Sequence, residues 1–276
     1  MSENIENIEN IQKFAWTNPK ERDFLSNKNE YTQYLEHFKT SQSLPRQLII
    51  LDVGANNGHF SIECAKQLPN ATIYAFEPFK EPFKCLEQNA KTLPNPSQIV
   101  PIQLAIMERT GPLQGTYLPN YSLLSGFHAA SEFESDKTML QEIAGKSLDH
   151  EFLATHEQVD SIRLDEWLEG IEGIEGIECI ESIDASHRKI RIDLLKIDVE
   201  KSEFSVLKSL GQFVKNVYAI LVEVHEENKT SVLDYLETNG FTMTISKPTP
   251  PTFCLDQEVP ATYDARLNTY MVWAVR

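Results

Sequence analysis

The side chains best suited to acid–base chemistry come as two pairs, and the members of each pair are two residues apart. Asp198 and Glu200 follow one apolar run, whereas Glu223 and His225 end another. Because side chains alternate along a β-strand, the two members of each pair lie on the same face. An imidazole with an ordinary pKa near ~6.5 suits a general base, and carboxylates with one imidazole also suit Mg²⁺, Mn²⁺ or Fe²⁺. The pattern therefore predicts a cluster that accepts a proton or holds a divalent metal.

Within this predicted cluster, His225 or Asp198 is our candidate for the general base, with Glu223 as a further catalytic residue. A metal would be held by Asp198, Glu223 and His225, but we favour the metal-free interpretation. The structural alternative is that Glu200 caps the following helix and that Glu223 pairs with Lys196.

A glycine turn follows the apolar run of residues 48–51 and reads D-V-G-A-N-N-G from Asp52 to Gly58. An unbroken apolar run that ends in glycine is typical of a strand buried on both faces of a parallel sheet. In such sheets, nucleotide-like ligands bind at the carboxyl ends of the strands. A dinucleotide fingerprint needs glycine where Asn56 stands, so that the backbone can approach a pyrophosphate. The turn therefore indicates a nucleoside ligand with an amino-acid end and no phosphate, and S-adenosylmethionine is such a ligand.

Glu77 directly follows the next predicted strand. A carboxylate at this place can accept two hydrogen bonds from a ribose diol. Nicotinamide-dependent enzymes also place an acid here, so Glu77 supports nucleoside binding without choosing between the two ligands.

Strands and helices alternate from residue 47 onward, which predicts an α/β fold. The predicted parallel strands cover residues 47–53, 71–76, 99–105, 193–199 and 217–224. Two further strands, 241–245 and 269–275, have no helix between them and can pair antiparallel. We therefore expect a Rossmann-like, doubly wound, mostly parallel seven-stranded sheet with one antiparallel strand.

The sequence predicts two parts of the chain, and the second contains two inserted segments. Residues 1–45 form an N-terminal extension, partly helical, whose aromatic stripe suits a lid or a homodimer contact, and residues 46–276 form the ligand-binding domain. Residues 107–160 lack clear periodicity, so we interpret them as a cap inserted on the substrate side. Residues 169–190 begin with a Gly-Ile-Glu repeat whose three-residue period fits neither helix nor strand, and we predict a mobile acidic loop there.

The composition limits the classes of partner and the compartment. A net charge of −16 disfavours nucleic acid and anionic membranes, because both need basic patches. The first ten residues are acidic and polar, unlike a signal peptide, and no apolar run approaches transmembrane length. We therefore expect a cytoplasmic protein that binds neither nucleic acid nor membrane.

Several motifs, taken in order and spacing, resemble one known family. These are DVGANNGHFS, FEPFKEPFKCLEQNA, SIRLDEWL, DLLKIDVEKSEFSVLKSL, and VEVHEEN followed by LETNGF. Together they span roughly residues 47–246 and resemble the FkbM-type family of class I S-adenosylmethionine-dependent methyltransferases. The resemblance implies methyl transfer, most often to oxygen, on a small molecule, natural product or saccharide. The alternatives are N-methylation of a peptide, amide or amine, a nicotinamide-dependent oxidoreductase, and a catalytically silent adenosyl-binding protein.

The resemblance also implies roles for particular residues. Cofactor contacts would come from Asp52, Gly54, Ala55, Asn56, Gly58, Glu77, Pro78, Ala105 and Asp198. Apart from the resemblance, our interpretation of residues 107–160 as a cap predicts acceptor contacts from Tyr121, Ser125, Phe127 and His128, with Glu200 and Lys201 beside them. Lys201 departs from the family, because the KIDVE element usually continues with glycine. A long cation beside the site would reshape the acceptor pocket.

Overall fold

The chain is described here from a computed structural model. The described residues are 14–17, 31–41, 46–127, 130–144, 147, 149, 153–171, 179–180, 189–249 and 267–276. Most of the predicted acidic loop, and His128 of the predicted cap, lie outside them.

The described elements alternate as the sequence predicts. The strands are β1 (Leu48–Val53), β2 (Ala71–Phe76), β3 (Ile99–Ile102), β4 (Ala105–Ile106), β5 (Gly111–Tyr117), β6 (Thr155–Ile162), β7 (Cys179–Ile180), β8 (Lys189–Ile190), β9 (Ile192–Ile197), β10 (Val217–His225), β11 (Thr242–Ile245) and β12 (Thr269–Val275). The helices are α1 (Thr32–Ser41), α2 (His59–Gln67), α3 (Lys80–Ala90), α4 (Ala130–Ala144), α5 (Leu164–Ile171), α6 (Glu203–Ser209) and α7 (Lys229–Thr238). None of the helices in the described part of the chain is long and apolar enough to cross a membrane.

A seven-stranded sheet forms the centre of the fold, with the strand order β11-β12-β10-β9-β1-β2-β3. The neighbours from β3 to β10 pair in parallel, and β12 runs antiparallel to both β10 and β11. The predicted fold class, including the one antiparallel strand, is confirmed. The strand order reverses between β1 and β9, and ligands bind at such a switch point in open α/β sheets.

The burial of β1 explains its unbroken apolar sequence. All six of its residues are buried, because α-helices cover both faces of the sheet. Leu51 and Val53 belong to one apolar cluster, whereas Leu48 and Ile50 belong to another on the opposite face. The first cluster also receives α6 and α7, and the second receives α1 and α2.

The predicted cap segment is more regular than its sequence indicates. It contains β5 and most of β6, which pair antiparallel, and β4 completes this three-stranded sheet. β6 begins at Thr155, inside the predicted cap, and the third strand of the main sheet, predicted over residues 99–105, ends early at Ile102. The propensity of β5 for strand structure is low, because it contains Gly111, Pro112 and Gly115. Its pairing with the distant strand β6 therefore decides that it forms a strand.

The N-terminal helix α1 packs within its own chain. Leu35 and Phe38 are fully buried, and the Phe38 ring lies 6.4 Å from that of Trp273 on β12. This apolar face of α1 is therefore used inside the protomer. The predicted homodimer contact through the N-terminal helix stays a prediction.

Candidate active site at the switch point of the sheet

The turn after β1 adopts three left-handed backbone conformations in five residues. Gly54, Asn56 and Gly58 have φ values of 78°, 49° and 88°. A Cβ at position 54 would lie 1.9 Å from the carbonyl oxygen of Asp198. Glycine is therefore required at position 54 because the backbone after β9 passes against it, and the space at this position is filled by protein.

The carboxylate of Glu77 closes this turn from the end of β2. Its Oε2 accepts the Asn56 N–H at 2.9 Å, and its Oε1 accepts the Phe79 N–H at 2.8 Å. Burial raises the pKa of Glu77 to about 8, although these two backbone N–H groups and Lys196 act in the opposite direction. Glu77 is thus a desolvated carboxyl group whose position is fixed by the backbone.

A cleft of about 500 Å³, open to solvent, lies beside Glu77. It is lined by Gly54, Asn56, Glu77, Pro78, Phe79, Ser122, Leu123, Ser125, Gly126, Phe127, Asp198, Val199 and Glu200. A second, smaller cleft of about 250 Å³ adjoins it and is almost wholly apolar, with Pro78, Leu104 and Ala105 among its walls. Gly54, Pro78, Phe127 and Val199 line both clefts.

The clefts contain some of the residues predicted for the ligands and not others. Of the predicted cofactor residues, Asp52, Ala55 and Gly58 line neither cleft. Among the cap residues predicted to contact the acceptor, Ser125 and Phe127 line the first cleft, whereas Tyr121 is buried in a small apolar cluster beside it.

Asp52 is part of a buried ionic network below the cleft. It is fully buried, and its Oδ2 accepts a hydrogen bond from Ser61 Oγ at 2.6 Å. Lys196 Nζ lies 3.2 Å from Asp52 Oδ1 and 3.3 Å from Asp198 Oδ2, and donates to the Gly54 carbonyl at 2.9 Å. Asp52 therefore holds the ammonium group that organises the turn, and its predicted contact with the ligand is not supported by its position.

Asp198 and Glu223 form a carboxyl pair with opposite pKa shifts. Burial and, after it, the Asp198 charge together raise the pKa of Glu223 to about 8. Burial also opposes the charge on Asp198, but Lys196, the Tyr31 hydroxyl at 3.2 Å and a hydrogen bond from Glu223 lower its pKa overall. Glu223 thus carries the proton of the pair, and Lys196 is paired with Asp198 and Asp52, not with Glu223 as the structural alternative supposed.

His225 lies between two carboxylates. Its Nε2 is 2.9 Å from Glu200 Oε2, and its Nδ1 is 2.6 Å from Glu203 Oε1. Burial opposes protonation of the ring, yet these two carboxylates raise the pKa of His225 well above 6.5. His225 lines neither cleft. An imidazolium with both nitrogens occupied does not suit the general base that the sequence predicts at this position.

Lys201 occupies a backbone conformation that favours glycine. Its φ of 59° explains the family's usual glycine, because other residues are strained there. Its Nζ lies 2.5 Å from Asp136 Oδ2 on α4 and 3.5 Å from Glu227 Oε2. The lysine therefore joins the loop after β9 to the helix of the predicted cap and does not line the described clefts.

The sequence analysis did not predict a functional role for three polar residues of the site. They are Lys196, Glu203 and Tyr31. For Lys196 a signal exists, since it shares a strand face with Asp198 and Glu200 and is directly paired with Asp52 in the register of β1 and β9. Glu203 belongs to the motif DLLKIDVEKSEFSVLKSL, which was a signal for it, whereas Tyr31 reaches the site from the residue before α1 and has no local sequence signal.

The predicted metal ligands do not assemble into a metal site. Within the described residues, no three His, Cys, Asp or Glu side chains are arranged so that they could hold a metal ion. Both ring nitrogens of His225 face other partners, and Asp198 is directed to Lys196 and Tyr31.

Comparisons with known proteins agree with the geometry of the site. Residues 52–243 match the family described as the methyltransferase FkbM domain. The 31-O-demethyl-FK506 methyltransferase FkbM of Streptomyces tacrolimicus is 30% identical over 200 residues, 71% of this chain and 73% of that protein. The AMB antimetabolite synthetase AmbE of Pseudomonas aeruginosa is 30% identical over 211 residues, 73% of this chain. The match spans 10% of that synthetase.

Among solved structures, the fold is similar to magnesium protoporphyrin IX methyltransferase (ChlM) from Synechocystis PCC 6803 with bound SAM. The two align over 99% of this chain and 91% of that one, with 10% identity and a TM-score of 0.46. The assignment itself rests on the family match, which covers most of the chain. The protein belongs to the FkbM family of methyltransferases.

Proposed function

We propose that the protein transfers the methyl group of S-adenosylmethionine to a hydroxyl of an uncharged small molecule. The observation that carries this proposal is the meeting of three features at the switch point of the sheet. These are the left-handed turn at Gly54, the desolvated Glu77 carboxyl group and the apolar cleft at Ala105. In adjoining clefts, these features would bind the amino-acid end, the ribose diol and the adenine ring of the cofactor.

The residues present fit this cofactor part by part. Glu77 would accept the ribose hydroxyls, since each carboxylate oxygen retains a lone pair beside its backbone donor. Pro78, Leu104 and Ala105 would hold the adenine ring in the smaller cleft. Asp198 would face the amino-acid end. When bound, the cofactor supplies an electrophilic sulfonium methyl group.

The electrostatics of the larger cleft favour an uncharged acceptor. Glu77, Asp198 and Glu200 line it, and none of its described lining residues is Lys, Arg or His. A phosphate or carboxylate on the acceptor would meet these acids without a cation to pair with. The rings of Phe79 and Phe127 stack at 5.7 Å and give the cleft an apolar wall, which suits the body of a natural product.

The choice of a hydroxyl is supported by one relative. A protein 30% identical over 71% of this chain is named 31-O-demethyl-FK506 methyltransferase, and that name refers to a missing methyl group on oxygen. The second candidate is N-methylation of an amine or amide, and the same carboxylates favour it because they would attract a cationic amine. A free amine must lose its proton before it can attack the methyl group, so the two candidates differ in pH dependence.

A labelling experiment tests the proposed function. The protein is incubated with S-adenosylmethionine carrying a tritiated methyl group and with single acceptors: a phenol, a methyl glycoside, a primary amine and 31-O-demethyl-FK506, which the name of the relative mentions. Carboxylated and phosphorylated analogues of the phenol and the glycoside are tested beside them. We expect label in at least one hydroxyl acceptor and little in carboxylated or phosphorylated analogues. Label in the amine alone would replace the proposal with N-methylation, and preference for the anionic analogues would contradict it.

A further inference from the structure

Glu200 differs from the other carboxylates of the cleft in how its oxygens are used. Its Oε2 faces His225 Nε2, and its Oε1 has no hydrogen-bond partner among the described residues. The side chain is 19% exposed and lines the cleft. The backbone of Glu200 pairs with that of Gly126, which belongs to the predicted cap. Glu200 therefore presents one unpaired carboxylate oxygen to a bound acceptor.

Neither of the other two acids of the cleft suits the acceptor proton, Glu77 because of its place and Asp198 because of its partners. Glu77 accepts two backbone N–H groups and faces the turn that would hold the cofactor. Asp198 is surrounded by donors from Lys196, Tyr31 and Glu223, and its pKa is lowered as a result. A carboxylate stabilised in its charged form by so many donors is a weak base.

The position of the Glu200 side chain is fixed by a buried network of polar side chains. His225 joins Glu200 to Glu203, and Glu203 is completely buried. Glu203 Oε2 accepts a hydrogen bond from Asn228 Nδ2 at 2.8 Å, and the Lys201 N–H donates to its Oε1 at 3.2 Å. Both Glu203 oxygens are thus occupied, so the imidazolium is held in one orientation toward Glu200.

We propose that Glu200 is the general base of the reaction and that His225 is its positioning residue. This inference rests on the proposed function. The acceptor oxygen forms a bond to the methyl carbon while the carbon–sulfur bond breaks and its electron pair stays on sulfur. The hydroxyl proton passes to Glu200 Oε1. The positive charge of the sulfonium and the negative charge of the carboxylate disappear together, so the cleft gains no net charge.

The surroundings of Glu200 suit this role. Burial raises its pKa, and the charges of Asp198 and Glu203 raise it further, while the His225 imidazolium lowers it. A carboxylate with a raised pKa is a stronger base than an ordinary one while it remains ionised. Without His225, burial and the two acids would favour the protonated form, which cannot accept a proton.

Kinetics of variants at these two positions test the proposal, with the best acceptor from the labelling experiment. Glu200→Gln should lower kcat by about 10²–10⁴ while the Kd for S-adenosylhomocysteine changes less than about twofold. Glu200→Asp keeps a carboxylate and should be more active than Glu200→Gln. His225→Asn should move the acidic limb of the kcat profile to higher pH, because Glu200 loses the imidazolium that lowers its pKa.

The matched control is Glu237→Gln, the same change at an exposed position on α7, which should retain wild-type kcat. A kcat within tenfold of wild type in Glu200→Gln would overturn the proposal, as would an unmoved acidic limb in a folded His225→Asn variant that binds S-adenosylhomocysteine. A wild-type protein that methylates none of the acceptors would instead remove the proposed function, and the role of Glu200 with it.

Discussion

The two walls of the cleft are held together by different kinds of contact. The cofactor wall, residues 52–79, is fixed mainly by the backbone above one buried ion pair, Asp52 with Lys196: Gly54 packs against a main-chain carbonyl, and Glu77 accepts two main-chain N–H groups. The acceptor wall, residues 198–203, is fixed by side-chain ion pairs with distant elements, such as Lys201 with Asp136.

This difference shows which part of the site can vary. A wall built from backbone contacts tolerates few substitutions, because a main-chain group cannot move out of the way. A wall built from side-chain pairs can change its shape when one residue is replaced. We infer that the cofactor wall is the constant part of the site and that the acceptor wall is where this chain acquires its own specificity.

The largest effect is expected from Gly54→Ala, which breaks the cofactor wall. The new Cβ would lie 1.9 Å from the Asp198 carbonyl oxygen, and a φ of 78° disfavours alanine as well. We expect a loss of at least about 3 kcal/mol in the free energy of unfolding, measured with urea, and loss of S-adenosylhomocysteine binding. Gly170→Ala is the control, because nothing lies within 4 Å of its Cβ position. Equal stability of the two variants would contradict the packing argument.

A medium effect is expected from Glu223→Gln, which removes a carboxyl group that supports the acceptor wall. The pKa of Glu223 is raised from 4.5 to about 8, so its contribution to stability is complete below about pH 4.5 and is lost as the pH rises through about 8. Glutamine mimics the protonated form. The variant should therefore gain stability relative to wild type between about pH 5 and 8 in thermal unfolding. A difference that does not change with pH would show that Glu223 is not protonated in the folded protein.

The smallest effect is expected from two variants that distinguish the backbone strain at Lys201 from its ion pair with Asp136. Asp136→Asn removes the partner and keeps the strained backbone, so it should cost about 0.5–1 kcal/mol of stability. Lys201→Gly removes both, and the relief of about 1 kcal/mol from the left-handed conformation should offset the loss. Both variants should raise KM for the acceptor and leave the Kd for S-adenosylhomocysteine unchanged. A larger loss of stability in Lys201→Gly than in Asp136→Asn would contradict the strain argument.

The same difference explains which parts of the site could be predicted from the sequence. The cofactor wall follows from local features, because an apolar run, a glycine turn and an acid after the next strand are contiguous in the chain. Strand alternation correctly brings Asp198, Glu200, Glu223 and His225 together. It does not reveal that His225 faces Glu203, because Glu203 lies on the helix after β9, where strand alternation no longer applies.

The cap segment shows a second limit. The glycines of β5 suggest a loop, but Gly115 leaves room for the Phe79 ring, since a Cβ there would lie 2.7 Å from that ring. Such a contact depends on a partner that is distant in sequence. Propensity alone therefore favours an irregular segment where the chain forms a strand.

Calorimetry with wild type and Glu77→Ala is the most direct test of the central claim, that this cleft holds S-adenosylmethionine. Titration with S-adenosylhomocysteine should show one site in the wild type and an affinity at least about tenfold weaker in the variant, because the ribose diol loses the carboxyl group with which it would form hydrogen bonds. NAD should give no heat of binding, since Asn56 replaces the glycine that a pyrophosphate needs. Tight binding of NAD, or equal binding of S-adenosylhomocysteine by both proteins, would contradict the account.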